Sequence, residues 1–259
     1  MILRWITFIP LTIIIVAENL LDPYLSIIVP AYNEKKRLAS TLIPTIEFLK
    51  HQTYSSEIII VSDGSTDDTV AISEQHKLLF NNIKVIEYFP NRGKGYAVKT
   101  GMLNAKGKYR LFMDADYAVP IDYVQTFLSL INHNYDLVIG SRGLRQSQVE
   151  SHQPFIRESL AKIFGIVQRI ILGLPILDTQ CGFKLFTKES AEKLFPLTTF
   201  NCAYFDAELL YIAYKSNMQI GEIAVRWSHD GETRLPIGIN RTAEIILKLF
   251  RIKNIHKNL

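Results

Sequence analysis

The feature that most constrains this 259-residue chain is a rhythm in its first half. Short apolar, β-branched runs recur at Leu25–Pro30 (LSIIVP), Glu57–Val61 (EIIIV), Ile83–Tyr88, Tyr109–Met113 (YRLFM) and Leu137–Gly140. Runs of this length without polar alternation suit strands covered on both faces, and helices between them demand a largely parallel sheet. Helices are expected at about Glu34–Lys50, where Leu38, Leu42, Ile46 and Leu49 fall at helical spacing, and from Asp67 or Asp68 to about Leu79. Two more are expected, one from the glycine-basic loop Asn91-Arg92-Gly93-Lys94-Gly95 through Ala105 and one from Pro120 to about Asn132. The fold class is therefore α/β, a Rossmann-like, largely parallel mixed sheet flanked by helices.

After Arg142 the rhythm changes. Gly143–Gln153 is polar and expected to be a loop, and Phe155–Leu172 reads as a long apolar helix. Gly182–Phe186 and Met218–Val225 read as strands flanking a helix at about Tyr204–Lys215. Asn240–Ile255 mixes Ile245, Ile246, Leu249, Phe250 and Ile252 with Lys248, Arg251 and Lys253, the pattern of a basic amphipathic helix.

Trp5–Ala17 (WITFIPLTIIIVA) is an apolar run between Arg4 and Glu18. It is short of the roughly 20 apolar residues that a span needs, but Met1–Leu3 and Leu20–Leu21 bring it near, with the flanking charges able to snorkel. The preferred reading is a membrane anchor at 1–21 before one domain at 22–259. A buried core helix is the alternative, and a cleaved signal is disfavoured because the residues before Glu18 make a poor cleavage site. Lys35, Lys36 and Arg37 outnumber Arg4, which places the domain on the cytosolic side of a membrane. The balance of 29 Lys and Arg against 25 Asp and Glu, net +4, gives no case for nucleic acid and is compatible with anionic substrates or a lipid surface. Cys181 and Cys202 stand outside any zinc-ligand spacing.

In an open parallel sheet, ligands bind beyond the carboxyl ends of the strands. The polar residues fall there: Pro30-Ala31-Tyr32-Asn33-Glu34 after the first run, Asp63 after the second, Asp114-Ala115-Asp116 after the fourth and Arg142 after the fifth. Two carboxylates one residue apart at a strand end can share a divalent cation, magnesium or manganese by their oxygen preference. Such pairs are commonly solvated turns, and it is the position directly after YRLFM that favours a site. Asp63 suits either a helix-initiating turn or an acceptor for a nucleobase imide. Arg92 and Lys94 read as solvated charges, while backbone amides of their loop, at a helix start, would equally cradle a phosphate. The chain lacks a Walker A loop, a G-x-G-x-x-G after its first strand and a G-x-S-x-G elbow, which disfavours P-loop, dinucleotide-binding and serine-hydrolase readings. Of six scattered histidines, His229 alone draws interest, in a turn beside Trp227 and Asp230.

Together, IIVPAYNE (Ile27–Glu34), VSDGSTDDT (Val61–Thr69), NRGKGYAV (Asn91–Val98), MDAD (Met113–Asp116) and GSR (Gly140–Arg142) resemble family 2 glycosyltransferases of the GT-A fold, over about Leu25–Leu235. DTQCGFKLF (Asp178–Phe186) and AYFDAELLYI (Ala203–Ile212) are similar to the dolichyl-phosphate β-glucosyltransferase branch. The resemblance implies transfer of glucose from UDP-glucose to a polyprenyl phosphate with inversion, at a membrane surface. It implies that Pro30, Tyr32, Glu34 and Asp63 line a uridine pocket, that Lys94 faces the nucleotide or its phosphates, and that Asp114 and Asp116 hold the metal and pyrophosphate. Arg142 would face the donor–acceptor phosphate region. Arg157 and the Gly231-Glu232-Thr233-Arg234 turn look like acceptor-phosphate elements. Asp116, Asp178 and Asp206 are the candidate catalytic carboxylates, the last two as base or positioning groups, with buried capping roles equally open. Related mannosyltransferases often carry a metal-binding glutamine where this chain has Ala118. Alternatives are another donor such as UDP-N-acetylglucosamine or GDP-mannose, a soluble glycan acceptor, and a non-catalytic nucleotide-sugar binding module. A nucleotidyltransferase is discounted because AYNEKKRL stands where its glycine-rich signature would.

Overall fold

A computed structural model describes residues 22–150, 165–202, 204–228 and 239–259, with 239–245 as backbone only. The anchor expected at 1–21, the first part of the helix expected at Phe155–Leu172, and Arg157, His229 and the Gly231–Arg234 turn lie outside the described residues. The first half keeps its rhythm: β1 (Leu25–Ala31), α1 (Leu38–Lys50), β2 (Ser56–Asp63), α2 (Thr69–His76), β3 (Ile83–Tyr88), α3 (Lys94–Asn104), β4 (Tyr109–Met113), α4 (Tyr123–Ile131) and β5 (Leu137–Ser141). Then come β6 (Gln148–Val149), a helical stretch at 165–172, β7 (Phe183–Thr187), α5 (Lys188–Leu194), α6 (Phe205–Lys215), β8 (Ile220–Ala224), β9 (Arg226–Trp227) and α7 (Ile239–Ile255).

The main sheet has seven strands in the order β3-β2-β1-β4-β7-β5-β8. Strand β7 runs antiparallel to both β4 and β5, and every other pair in this sheet is parallel. The carboxyl ends of β1, β2, β4 and β5 therefore share an edge with the start of β7. The polar stretch expected as a loop after Gly143 contains a strand: β6 pairs with β9, Gln148 opposite Arg226 and Val149 opposite Trp227.

Alternate residues on each strand feed two cores, as the pleat requires. Ile27, Val29, Ile58, Ile60 and Leu111 pack with α1 and α4 on one face; Ile28, Ile59, Val61 and Phe112 pack with α3, α6 and α7 on the other. Helix α1 starts four residues later than its periodicity suggests. The amide of Glu34 is spent on Thr69 Oγ1 (2.8 Å), and Asn33 adopts a left-handed φ of 52°, so the chain turns before it coils.

One buried carboxylate ties the last helix to the site edge. Glu208 on α6 accepts from the amides of Thr199 and Phe200 and from Thr199 Oγ1, and His256 Nε2 lies 2.8 Å from its Oε1. The strap at 199–201 in turn presents Asn201 O to the amide of Gly95 (2.8 Å) at the start of α3. Removing a buried acceptor leaves several donors unsatisfied, which costs about 3 kcal/mol. Glu208→Ala should therefore lower the urea midpoint with an unchanged slope. An unaltered midpoint would show that the strap is held by other contacts.

Candidate active site

The tips of β1 and β2 are laced together by short polar side chains. Asn33 Oδ1 accepts from the amide of Thr66 (2.8 Å), and the Asn33 amide donates to Ser65 Oγ (3.1 Å). Glu34 is 9% exposed and takes two hydrogen bonds from the Arg37 guanidinium, at 2.8 and 2.9 Å. Pro30 is buried within β1 opposite Val61, whereas the Tyr32 ring is exposed. Asp63, at the end of β2, is 3% exposed and accepts the amides of Arg92 (2.7 Å, Oδ1) and Gly93 (2.8 Å, Oδ2). It is thus the brace of the glycine-basic loop. Gly93 has a φ of 100°, and a Cβ there would lie 2.4 Å from Asn201 O, so only glycine fits. The loop delivers Lys94 as the first residue of α3.

At the end of β4, the amide of Asp114 donates to Gly182 O (3.0 Å), just before β7. A Cβ on Gly182 would sit 2.0 Å from Asp114 Oδ2, so the missing side chain makes the room that this carboxylate occupies. Lys94 Nζ lies 2.6 Å from Asp114 Oδ1 and 5.1 Å from the centre of the Phe112 ring. Behind it, Lys184 on β7 pairs with Asp206 on α6 at 2.6 Å, both almost wholly buried, and also donates to Cys181 O. Burial works against the Lys94 ammonium, but the charges of Asp114 and Asp206 outweigh it and raise its pKa. Burial also raises Asp206, opposed by Lys184 and Lys94.

Asp116 receives the amide of Ala118 at Oδ1 (3.1 Å). Its pKa is pushed up by burial and then by the charge of Asp114. Two carboxylates in mutual repulsion, with oxygen as the only donor atom, suit a hard divalent cation. Among the described residues no group of three or more His, Cys, Asp or Glu side chains could hold a metal ion, so the rest of such a shell would come from substrate oxygens and water.

Arg142, at the end of β5, is gripped by Asp178 through Nε (2.7 Å), Nη2 (3.0 Å) and its own backbone amide (2.9 Å). Its guanidinium lies 5.2 Å from the centre of the Trp227 ring. The loop carrying Asp178 is itself pinned by Glu222 on β8, which accepts the amides of Leu177 and Asp178. Burial alone would raise the Asp178 pKa, but Arg142 outweighs it and the carboxyl is pulled down to about 2. Of the roles open to Asp178 from the sequence (base, positioning or capping), this geometry favours positioning, because a carboxylate so held is a poor proton acceptor. Asp206, the other base candidate, is likewise committed to Lys184. Gly182, Lys184 and Glu222 were not singled out by sequence reasoning. The first two lie within the DTQCGFKLF segment, whose antiparallel course carries them to the site.

A sequence model of glycosyl transferase family 2 matches residues 26–195. The chain belongs to this family. It is 40% identical to the dolichyl-phosphate beta-glucosyltransferase of Dictyostelium discoideum over 88% of this chain and 74% of that protein. It is 39% identical to the Drosophila melanogaster protein of the same name, over 82% of this chain and 69% of that one. Among solved structures, Mycobacterium tuberculosis glucosyl-3-phosphoglycerate synthase superposes with a TM-score of 0.60 at 18% identity, over 90% of this chain and 80% of that one. Staphylococcus aureus TarS residues 1–349 also gives 0.60 at 18% identity, over 91% and 67%. These structural likenesses carry the fold, a GT-A-like mixed sheet with flanking helices.

Within this family member, the Arg142–Asp178 pair has a pH signature. A carboxyl at about 2 in the fold and 3.8 unfolded contributes stability that is fully present well above pH 4 and is lost as pH falls towards 2, about 2 kcal/mol in all. Asp178→Asn should lower unfolding stability at pH 7 and flatten its fall between pH 5 and pH 2, measured by urea unfolding. An acid limb as steep as that of the parent would contradict the pair.

Proposed function

We propose that this chain transfers glucose from UDP-glucose to dolichyl or another polyprenyl phosphate, with inversion, yielding a lipid-linked β-glucosyl phosphate. What carries the reading is the convergence of Asp63, Lys94, Asp114, Asp116 and Arg142 on one sheet edge, in a chain 40% identical over 88% of its length to an enzyme of that name. Asp114 and Asp116 would hold a magnesium or manganese ion. A bound ion of this kind supplies the Lewis-acid charge that stabilises a departing diphosphate. Pro30, Tyr32, Glu34 and Asp63 would frame the uridine, with the Glu34 charge already neutralised by Arg37.

The reaction forms a bond from an acceptor phosphate oxygen to the anomeric carbon while the bond from that carbon to UDP breaks. A phosphate monoester is largely ionised near neutral pH, so the nucleophile needs no strong base. Arg142, fixed by Asp178, would orient phosphate oxygens between donor and acceptor, and Arg157 and Arg234 would hold the acceptor phosphate. The catalytic domain would work on the cytosolic face of a membrane, with 1–21 as its anchor and α7, whose Leu247 and Phe250 are exposed beside Lys248 and Arg251, against the lipid surface. No helix among the described residues is long and apolar enough to cross a membrane.

The test is incubation of the purified chain with radiolabelled UDP-glucose, dolichyl phosphate and magnesium, followed by organic extraction. Label should enter the lipid phase, chelation should abolish it, and Asp116→Asn should reduce it by about a hundredfold or more with folding intact. GDP-mannose and UDP-N-acetylglucosamine should label far less. Label from mannose alone, or full activity in Asp116→Asn, would overturn the donor or the metal assignment respectively.

A further inference from the structure

The charges around Phe112 set up a conflict at the proposed cation site. Lys94 already satisfies Asp114, ammonium to carboxylate, at 2.6 Å. A divalent ion shared by Asp114 and Asp116 would therefore enter beside a resident positive charge. Lys94 leaves a fixed stretch of backbone. It follows Gly93, which is fixed by Asp63 and by the close approach of Asn201 O, and its ammonium lies against the Phe112 ring. The other carboxylate that attracts it, Asp206, is already taken by the fully buried Lys184, whose ammonium lies 5.6 Å from the centre of the same ring.

The formal charges of Asp114, Asp116 and Lys94 sum to −1, and the Lys184–Asp206 pair adds nothing. A divalent ion alone takes the cluster to +1, in a half-buried setting where like charges interact strongly. A nucleoside diphosphate, with at least two negative charges, takes it back to −1. The same ammonium thus opposes the cation alone and favours the cation together with a diphosphate.

We infer that Lys94 is a coupling residue: it holds Asp114 in place of the metal until a nucleotide arrives, and so makes divalent-cation binding conditional on the donor diphosphate. This rests on the donor-site reading above. Coupling of this kind is reciprocal, so the cation should tighten the nucleotide by the same factor.

The test uses the full chain and manganese, with free ion read by electron paramagnetic resonance, in the presence and absence of UDP. The association of manganese with UDP in solution is measured separately and subtracted. Lys94→Met should bind manganese without UDP about tenfold more tightly than the parent, as expected for removing one nearby charge. The gain that UDP confers on manganese binding should shrink by about the same factor. Lys94→Arg, which restores the charge, should recover the parent's weak binding without nucleotide. Lys94→Gln keeps a donor for Asp114 and gives the same reading as Lys94→Met should that variant fold poorly, as judged by its melting temperature. A Lys94→Met or Lys94→Gln variant that binds manganese alone no more tightly, while losing UDP affinity, would make Lys94 a simple phosphate ligand and overturn the coupling. A parent chain that binds no manganese with or without UDP would overturn the donor-site reading itself, a distinct result.

Discussion

The Asp114 carboxylate can stand at the tip of β4 only because the residue facing it, Gly182, has no side chain. That contact exists because β7 runs against its neighbours, so the segment leading into it arrives at the edge where the parallel strands end. The reversal brings in Asp178, which fixes Arg142, and places Lys184 behind Phe112. An all-parallel sheet would have delivered the start of that strand to the opposite edge. The site is thus a product of topology first and of side-chain chemistry second.

Buried charge pairs are a weak source of stability, because desolvation offsets most of the attraction. Lys184–Asp206 and Arg142–Asp178 are better understood as fixed dipoles. Each pair holds its cation in one geometry, so neither side chain has to reorganise. The glycine-basic loop obeys the same logic. Asp63 spends its two oxygens on the amides of Arg92 and Gly93, which sets the direction in which Lys94 leaves the loop.

The strand tips were legible in the sequence because strands buried on both faces read as uninterrupted apolar runs, and the residues directly after each run must lie at the ligand edge. Asp63, Asp114, Asp116 and Arg142 were placed at that edge in this way. The pairing of charges was not legible. Asp178 and Arg142 are 36 residues apart, and Asp206 and Lys184 are 22 apart, so only the fold could match them. Lys184 sits within an apolar strand pattern, where a lysine suggests an edge rather than a buried ion pair. Strands β6 and β9 are two residues each, below what periodicity detects, and their pairing joins segments on either side of β7. Helix α2 stops at His76 instead of running to Leu79, with Leu78 left 91% exposed: the apolar residues there do not extend a buried face.

The disposition of carboxylates also bears on what the acceptor is. A sugar hydroxyl is a weak nucleophile until a base takes its proton, and a transferase acting on one needs an uncommitted carboxylate close to the anomeric carbon. Here Asp178 is pulled down to about 2 by Arg142, Asp206 is locked to Lys184, and Glu34 is closed by Arg37. Asp114 is paired with Lys94, and Asp114 and Asp116 are the carboxylates proposed for the cation. With Asp178, Asp206 and Glu34 each paired to a cationic side chain, none of the three is placed to deprotonate a hydroxyl, and an acceptor that arrives already ionised would need no such base. What such an acceptor demands is positive charge and orientation, and in the function proposed above the guanidinium of Arg142, held in two directions by one carboxylate and set against Trp227, would supply both.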